Sequence, residues 1–168
     1  MKRKTVKSVF LSIPVLAVAA ILGVMAMTVS VGPVLATPGS GFTRTVQGSA
    51  TLEPFRVHAD DFEIQSKNTT DIVMAKFTVD VGGDTGWHTH PGPMLITIAK
   101  GQFKLINFTE EDGCTEQVFG AGEGFVGSPN MVHIGRSVGE EPVVGYVTFL
   151  NVPVGGATLD PSPEDPGC

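Results

Sequence analysis

Beyond its first 36 residues the chain is patterned in twos. From Ile72 to Val81 the apolar residues Val73, Ala75, Phe77, Val79 and Val81 take every second position, with Lys76, Thr78 and Asp80 between them. A period of two places one side of a strand in a core and the other in water. Shorter apolar stretches predict further strands over Arg44–Leu52, Phe55–Ile64, Gly86–His90, Met94–Ala99, Gln102–Phe108, Thr115–Phe119, Gly124–Val126, Val132–Arg136 and Val143–Val152. Between them stand turn formers: Gly82-Gly83-Asp84, Pro91-Gly92-Pro93, Lys100-Gly101 and the acidic Thr109–Gly113. No stretch of this region has the pattern of a long helix. Many short strands with glycine-rich turns predict an all-β sandwich or barrel. Residues 37–43 predict a flexible leader. Residues 153–168, rich in proline and acid, predict a loosely held C-terminal tail.

The first 36 residues follow another rule. Lys2, Arg3, Lys4 and Lys7 make a basic start, and no charge follows from Val9 to Val34. Val34-Leu35-Ala36 then supplies the two positions that a signal peptidase reads, so residues 1–36 predict a signal peptide cut after Ala36. The run from Val9 to Ser30, about 22 residues, is also long enough to span a bilayer. An uncleaved membrane anchor is therefore the alternative, and it would be the protein's only membrane contact. In both cases residues 37–168 reach the outside of the cytoplasm, secreted or tethered, because the basic flank stays inside.

Charge then narrows the partners. Four of the eleven basic residues precede Ala36 and none of the seventeen acidic ones does, which leaves residues 37–168 at a formal net charge of -10. Nucleic acid and anionic membrane surfaces are poor partners for such a surface. Both cysteines, Cys114 and Cys168, lie in this exported part, where a disulfide is expected to persist. Two unpaired thiols, or Cys168 used between chains, are the alternatives.

The histidines carry the candidate chemistry. The chain has four, and three of them make sense as metal ligands together. His88 and His90 are one residue apart, so in a strand both rings share a face, roughly 7 Å apart along the backbone. His133 lies in a later predicted strand that a barrel can bring alongside. Three imidazoles with coordination positions left open make a site of the catalytic kind rather than a closed structural one. His58 with Asp60 and Asp61 offers a second cluster, more simply read as a surface strand end. Tyr146, the single tyrosine, is read as packed, although it could orient a ligand in the barrel mouth. Gln102 and Lys104 follow Gly101 on a strand and could point inward.

Two segments resemble the signature motifs of the cupin superfamily. The first runs glycine, five residues, His-x-His, three or four residues, Glu, six residues, glycine. Here Gly82, His88-Thr89-His90, Pro91-Gly92-Pro93, Met94 and Gly101 keep every spacing, with Met94 in the place of the glutamate. The second motif is met by Gly122 or Gly124, Pro129, His133 and Ser137, with a turn one residue shorter and lacking its glycine. Together with flanking strands the resemblance covers residues 72–152. It implies a double-stranded β-helix, the cupin jelly-roll barrel, as a single domain over 37–152. It also implies His88, His90 and His133 as the metal ligands. The ion implied is divalent, iron first, with manganese, zinc, nickel or copper behind it. With Met94 for glutamate, the ligand set is neutral. The implied function is a metal-dependent oxidoreductase or dioxygenase-like enzyme acting on a small molecule. A module that holds an ion or small ligand without turnover is the alternative, and a barrel with a structural metal is a third. An exposed sheet edge would also allow a homodimer.

Overall fold

The computed structural model describes residues 39–161 and 165–168; the predicted signal segment lies outside them. The described residues form twelve strands and no helix. In chain order they are β1 (Ser40–Leu52), β2 (Phe55–Ala59), β3 (Phe62–Ser66), β4 (Thr70–Asp84), β5 (His88–Thr89), β6 (Met94–Lys100), β7 (Phe103–Thr109), β8 (Gly113–Phe119), β9 (Gly124–Gly127), β10 (Val132–Ser137), β11 (Val143–Val152) and β12 (Asp160–Pro161). Ten of these make one antiparallel sheet in the order β12-β5-β10-β4-β11-β6-β9, with β1 added on β4 and β7 joining β10 to β8. The sheet curls into a nearly closed barrel of the jelly-roll kind expected from the alternation.

The period of two is realised in β4 as far as Val79, and Val81 is exposed. Ala75, Phe77 and Val79 are buried and Lys76 and Asp80 are exposed. The same phase in β6, β7 and β11 sends Met94, Ile96, Ile98, Phe103, Leu105, Val143, Val147 and Phe149 into one core. Burying each large side chain stabilises the fold by about 1.5–3 kcal/mol. Two glycines let the aromatic rings lie flat against the sheet. A Cβ on Gly145 would sit 2.3 Å from the Phe77 ring, and one on Gly135 would sit 2.0 Å from the Phe103 ring. A second, smaller core lies on the other face of β7 and β10. There Trp87, Ile106 and Ile134 pack together, with Cys168 against them.

Four local expectations are corrected. Phe55–Ile64 is not one strand but most of a hairpin, β2–β3, turned at Asp60, whose φ is 50°. Gly82-Gly83-Asp84 does not end its strand, since β4 runs to Asp84 and pairs there with Arg136. Part of the expected leader is strand, because β1 begins at Ser40 and pairs along β4. The C-terminal tail is held rather than loose. Its β12 pairs with β5, and Cys168 is bonded to Cys114 across a Cα separation of 6.1 Å. Closing 54 residues in this way removes unfolded-state freedom worth about 4 kcal/mol in a chain-entropy account.

Candidate metal centre

β5 and β10 bring the histidines together. His88 pairs directly with His133 in the ladder, so the two side chains leave the same face of the sheet. His90 follows β5 immediately, ahead of the Pro91-Gly92-Pro93 turn, and its carbonyl accepts a hydrogen bond from the Asn130 amide at 2.8 Å. That bond ties the turn before His133 to the histidine pair. Ring centres lie 4.3 Å apart for His88 and His133, 4.7 Å for His88 and His90, and 5.1 Å for His90 and His133. One nitrogen from each ring falls within 4.8 Å of the others, and all three residues are buried.

Every ring is held at Nδ1 by a backbone carbonyl. His88 donates to Gly86 at 2.8 Å, His133 to Met131 at 2.8 Å, and His90 to Thr158 in the tail. A carbonyl only accepts, so Nδ1 carries the proton and Nε2 keeps its lone pair. Metal-ligating histidines are commonly oriented by such a hydrogen bond at the other ring nitrogen. Burial pushes His88 down from the ordinary 6.5 to about 3, with the neighbouring His133 and His90 adding to the effect. Burial likewise lowers His90 to about 4, against the opposing Thr158 bond, and it lowers His133. At neutral pH all three rings are uncharged, the form that binds metal. The cluster is capable of holding one divalent ion.

The histidines look into a cavity of about 60 Å³, room for a few water molecules. Its other walls are mostly apolar, with Phe77, Met94, Ile96, Phe103 and Phe149 prominent. Met94 stands buried where the resemblance places a glutamate, so no carboxylate joins the cluster. Two polar residues unmarked by the sequence motifs also line the cavity, Thr85 and Arg44. The Thr85 hydroxyl is already engaged, donating to the Gly86 carbonyl and accepting from the Gly135 amide. Residue Arg44 is exposed as a whole, but its guanidinium carbon lies 5.5 Å from the centre of the Phe149 ring. Burial lowers its pKa, and its charge further disfavours protonation of His88 and His90. The tail contributes Leu159 as well as the Thr158 carbonyl.

The lesser candidates fall elsewhere. His58 is exposed on the β2–β3 hairpin opposite Glu63, away from the cluster. Tyr146 is 49 % exposed and is not packed. Lys104 pairs with Glu116 at 2.9 Å, and Gln102 is exposed; neither lines the cavity.

A family model described as "Cupin domain" matches residues 75–149, which contain all three histidines. The barrel is a cupin domain. Among solved structures it is similar to Peruvianin-I, a cysteine peptidase from Thevetia peruviana latex, at 20 % identity and a TM-score of 0.44, covering 48 % of this chain and 50 % of that one. It is also similar to Bacillus subtilis oxalate decarboxylase, at 24 % identity and 0.44, covering 46 % of this chain and 21 % of that one. A third similar structure is an oxalate oxidase, at 25 % identity and 0.44, covering 48 % and 42 %. The cupin domain thus spans half or less of each of these chains. No curated protein matches the chain.

Proposed function

We propose that this cupin domain works outside the cytoplasm. There it would hold one divalent metal ion through Nε2 of His88, His90 and His133 and present it to a small molecule in the cavity. The observation that carries the reading is the shared tie at Nδ1, which leaves three neutral imidazole lone pairs converging in a buried site. A bound ion would supply Lewis acidity and open coordination positions, the requirement for an oxidoreductase or dioxygenase-like reaction. Three imidazoles without a carboxylate suit iron, nickel, copper or zinc better than hard ions such as manganese. Export is supported by the basic start and uncharged run of residues 1–36, and by a compartment that preserves the Cys114–Cys168 bond.

One observation favours a second reading, a module that binds without turnover. Apart from the histidines, no side chain lining the cavity is placed to move a proton at neutral pH, since Arg44 keeps its charge and the Thr85 hydroxyl is engaged. A single preparation tests both. Untagged protein recovered from outside the cytoplasm should begin at Thr37. Offered iron, manganese, zinc, nickel or copper at pH ~7.5, it should retain about one equivalent of ion, while His88→Ala should retain almost none. Less than about a tenth of an equivalent in both would remove the site. A start at Met1 in the membrane fraction would replace secretion by anchoring. Oxygen uptake by the iron form separates the enzyme from the binding module.

A further inference from the structure

The cavity has a cation built into its wall and nothing to neutralise it. Arg44 lies on β1 opposite Phe77, two residues from Phe42, which packs on the core, so the strand's alternation turns Arg44 inward. Phe149 connects it to the candidate metal site. One neighbour of that ring is the guanidinium at 5.5 Å and another is the His90 ring at 5.0 Å. Arg44 makes no ion pair among the described residues, and no Asp or Glu lines the cavity. The three histidines are neutral donors. A divalent ion among them would add two positive charges to that of Arg44, in a pocket that supplies no negative one. Arg44 remains accessible to water, but toward the cavity its guanidinium meets no group of opposite sign and is free to take one from a ligand.

We infer that Arg44 is the anion-recognising residue of this site and that the ligand is a small carboxylate with a short apolar body. This rests on the metal-binding reading for its setting, but Arg44 would select an anion with or without the ion. The guanidinium fork matches the two oxygens of a carboxylate and forms charge-assisted bonds to them. Phe77, Met94 and Ile96 offer the ligand body only apolar contact. That disfavours phosphate and sulfate, whose oxygens face in all directions and would need donors on every side. Thr85 cannot serve as a further donor, because its proton is committed to Gly86. The cavity of about 60 Å³ limits the ligand to a few heavy atoms.

The test is calorimetric titration of zinc-loaded protein, full chain as exported, with acetate and propionate. Propionamide and inorganic phosphate serve as comparators, and zinc content is measured in the same samples. Wild type should bind the acids saturably and propionamide not at all. Arg44→Ala should weaken propionate by about tenfold or more, the value of a charged hydrogen bond, and Arg44→Lys should recover only part of it. Zinc content should be equal in all three proteins, since Arg44 is not a ligand of the ion. Four results would overturn the inference: no saturable binding of either acid, an Ala variant within about twofold of wild type, equal binding of amide and acid, or phosphate binding more tightly than propionate. Loss of zinc from every sample with Arg44-dependent binding intact would sink the metal reading alone. Full zinc with no effect of Arg44 would sink this inference alone.

Discussion

On the β4, β6 and β11 side of the cavity, Phe77, Met94, Ile96 and Phe149 keep their places by filling space. On the β5 and β10 side, His88, His90 and His133 keep theirs by single hydrogen bonds to Gly86, Thr158 and Met131. Both walls are buried, yet they are specified differently. The apolar wall needs volume, and any group of the right size and shape serves. The histidine wall needs direction, since an imidazole turned by a fraction of its ring aims its lone pair elsewhere. Direction comes from outside the strands, since Gly86 lies ahead of β5, Met131 ahead of β10, and Thr158 in the tail.

The largest expected effect is on the apolar side. Phe77→Ala removes a ring that fills the space above Gly145, and should cost about 3–5 kcal/mol in denaturant unfolding of the metal-free protein. A loss below about 1 kcal/mol would show that this wall does not carry the fold. Next comes the bond that anchors the tail. Cys168→Ser should lower stability by about 2–4 kcal/mol. It should also weaken metal binding about 10–100-fold, as loss of an orienting partner does. Unchanged metal affinity would mean that Thr158 holds His90 without the disulfide.

The effect that is smallest per ring and per pH unit separates the walls most cleanly. His88 and His90 titrate at about 3 and about 4 in the fold but near 6.5 when unfolded. As pH falls below 6.5 the unfolded chain takes up protons that the folded one refuses, so stability falls. The loss should reach up to about 1.4 kcal/mol per pH unit for each ring, and level off as pH passes each folded value. Chemical unfolding of metal-free protein between pH 7 and 4 measures it. His88→Gln should flatten the slope by one ring's share, and Phe77→Ala should leave it alone. Equal slopes for wild type and His88→Gln would deny that burial sets the ring's charge.

Much of this was legible in the sequence, for reasons that differ by residue. The alternation of Val73 to Val79 announced β4, because one side of that strand is core and the other water. The spacing of His88 and His90 announced a shared face, and His133, the ladder partner of His88, supplied the third ring. Arg44 escaped notice. Its signal was a charge in phase with the apolar Phe42 and Val46, but β1 is mostly exposed, so the phase was faint. The tail escaped because proline and acid usually signal weak packing, and a carbonyl offers no side chain to read. The β2–β3 hairpin was missed because Phe55, Val57, Phe62 and Ile64 read as one apolar strand until Asp60 turns the chain.

The order of residues along the chain also sets an order in time. Thr158, Leu159 and Cys168 come after β11, the last of the long strands. A chain delivered N-terminus first therefore presents His88, His90 and His133 before the segment that steadies His90 and walls the pocket. In that interval His90 lacks its Thr158 restraint and the pocket stands open on its Leu159 side. The Cys114–Cys168 bond fastens that segment. Were an ion to reach the three histidines before the bond forms, thiol oxidation would enclose it.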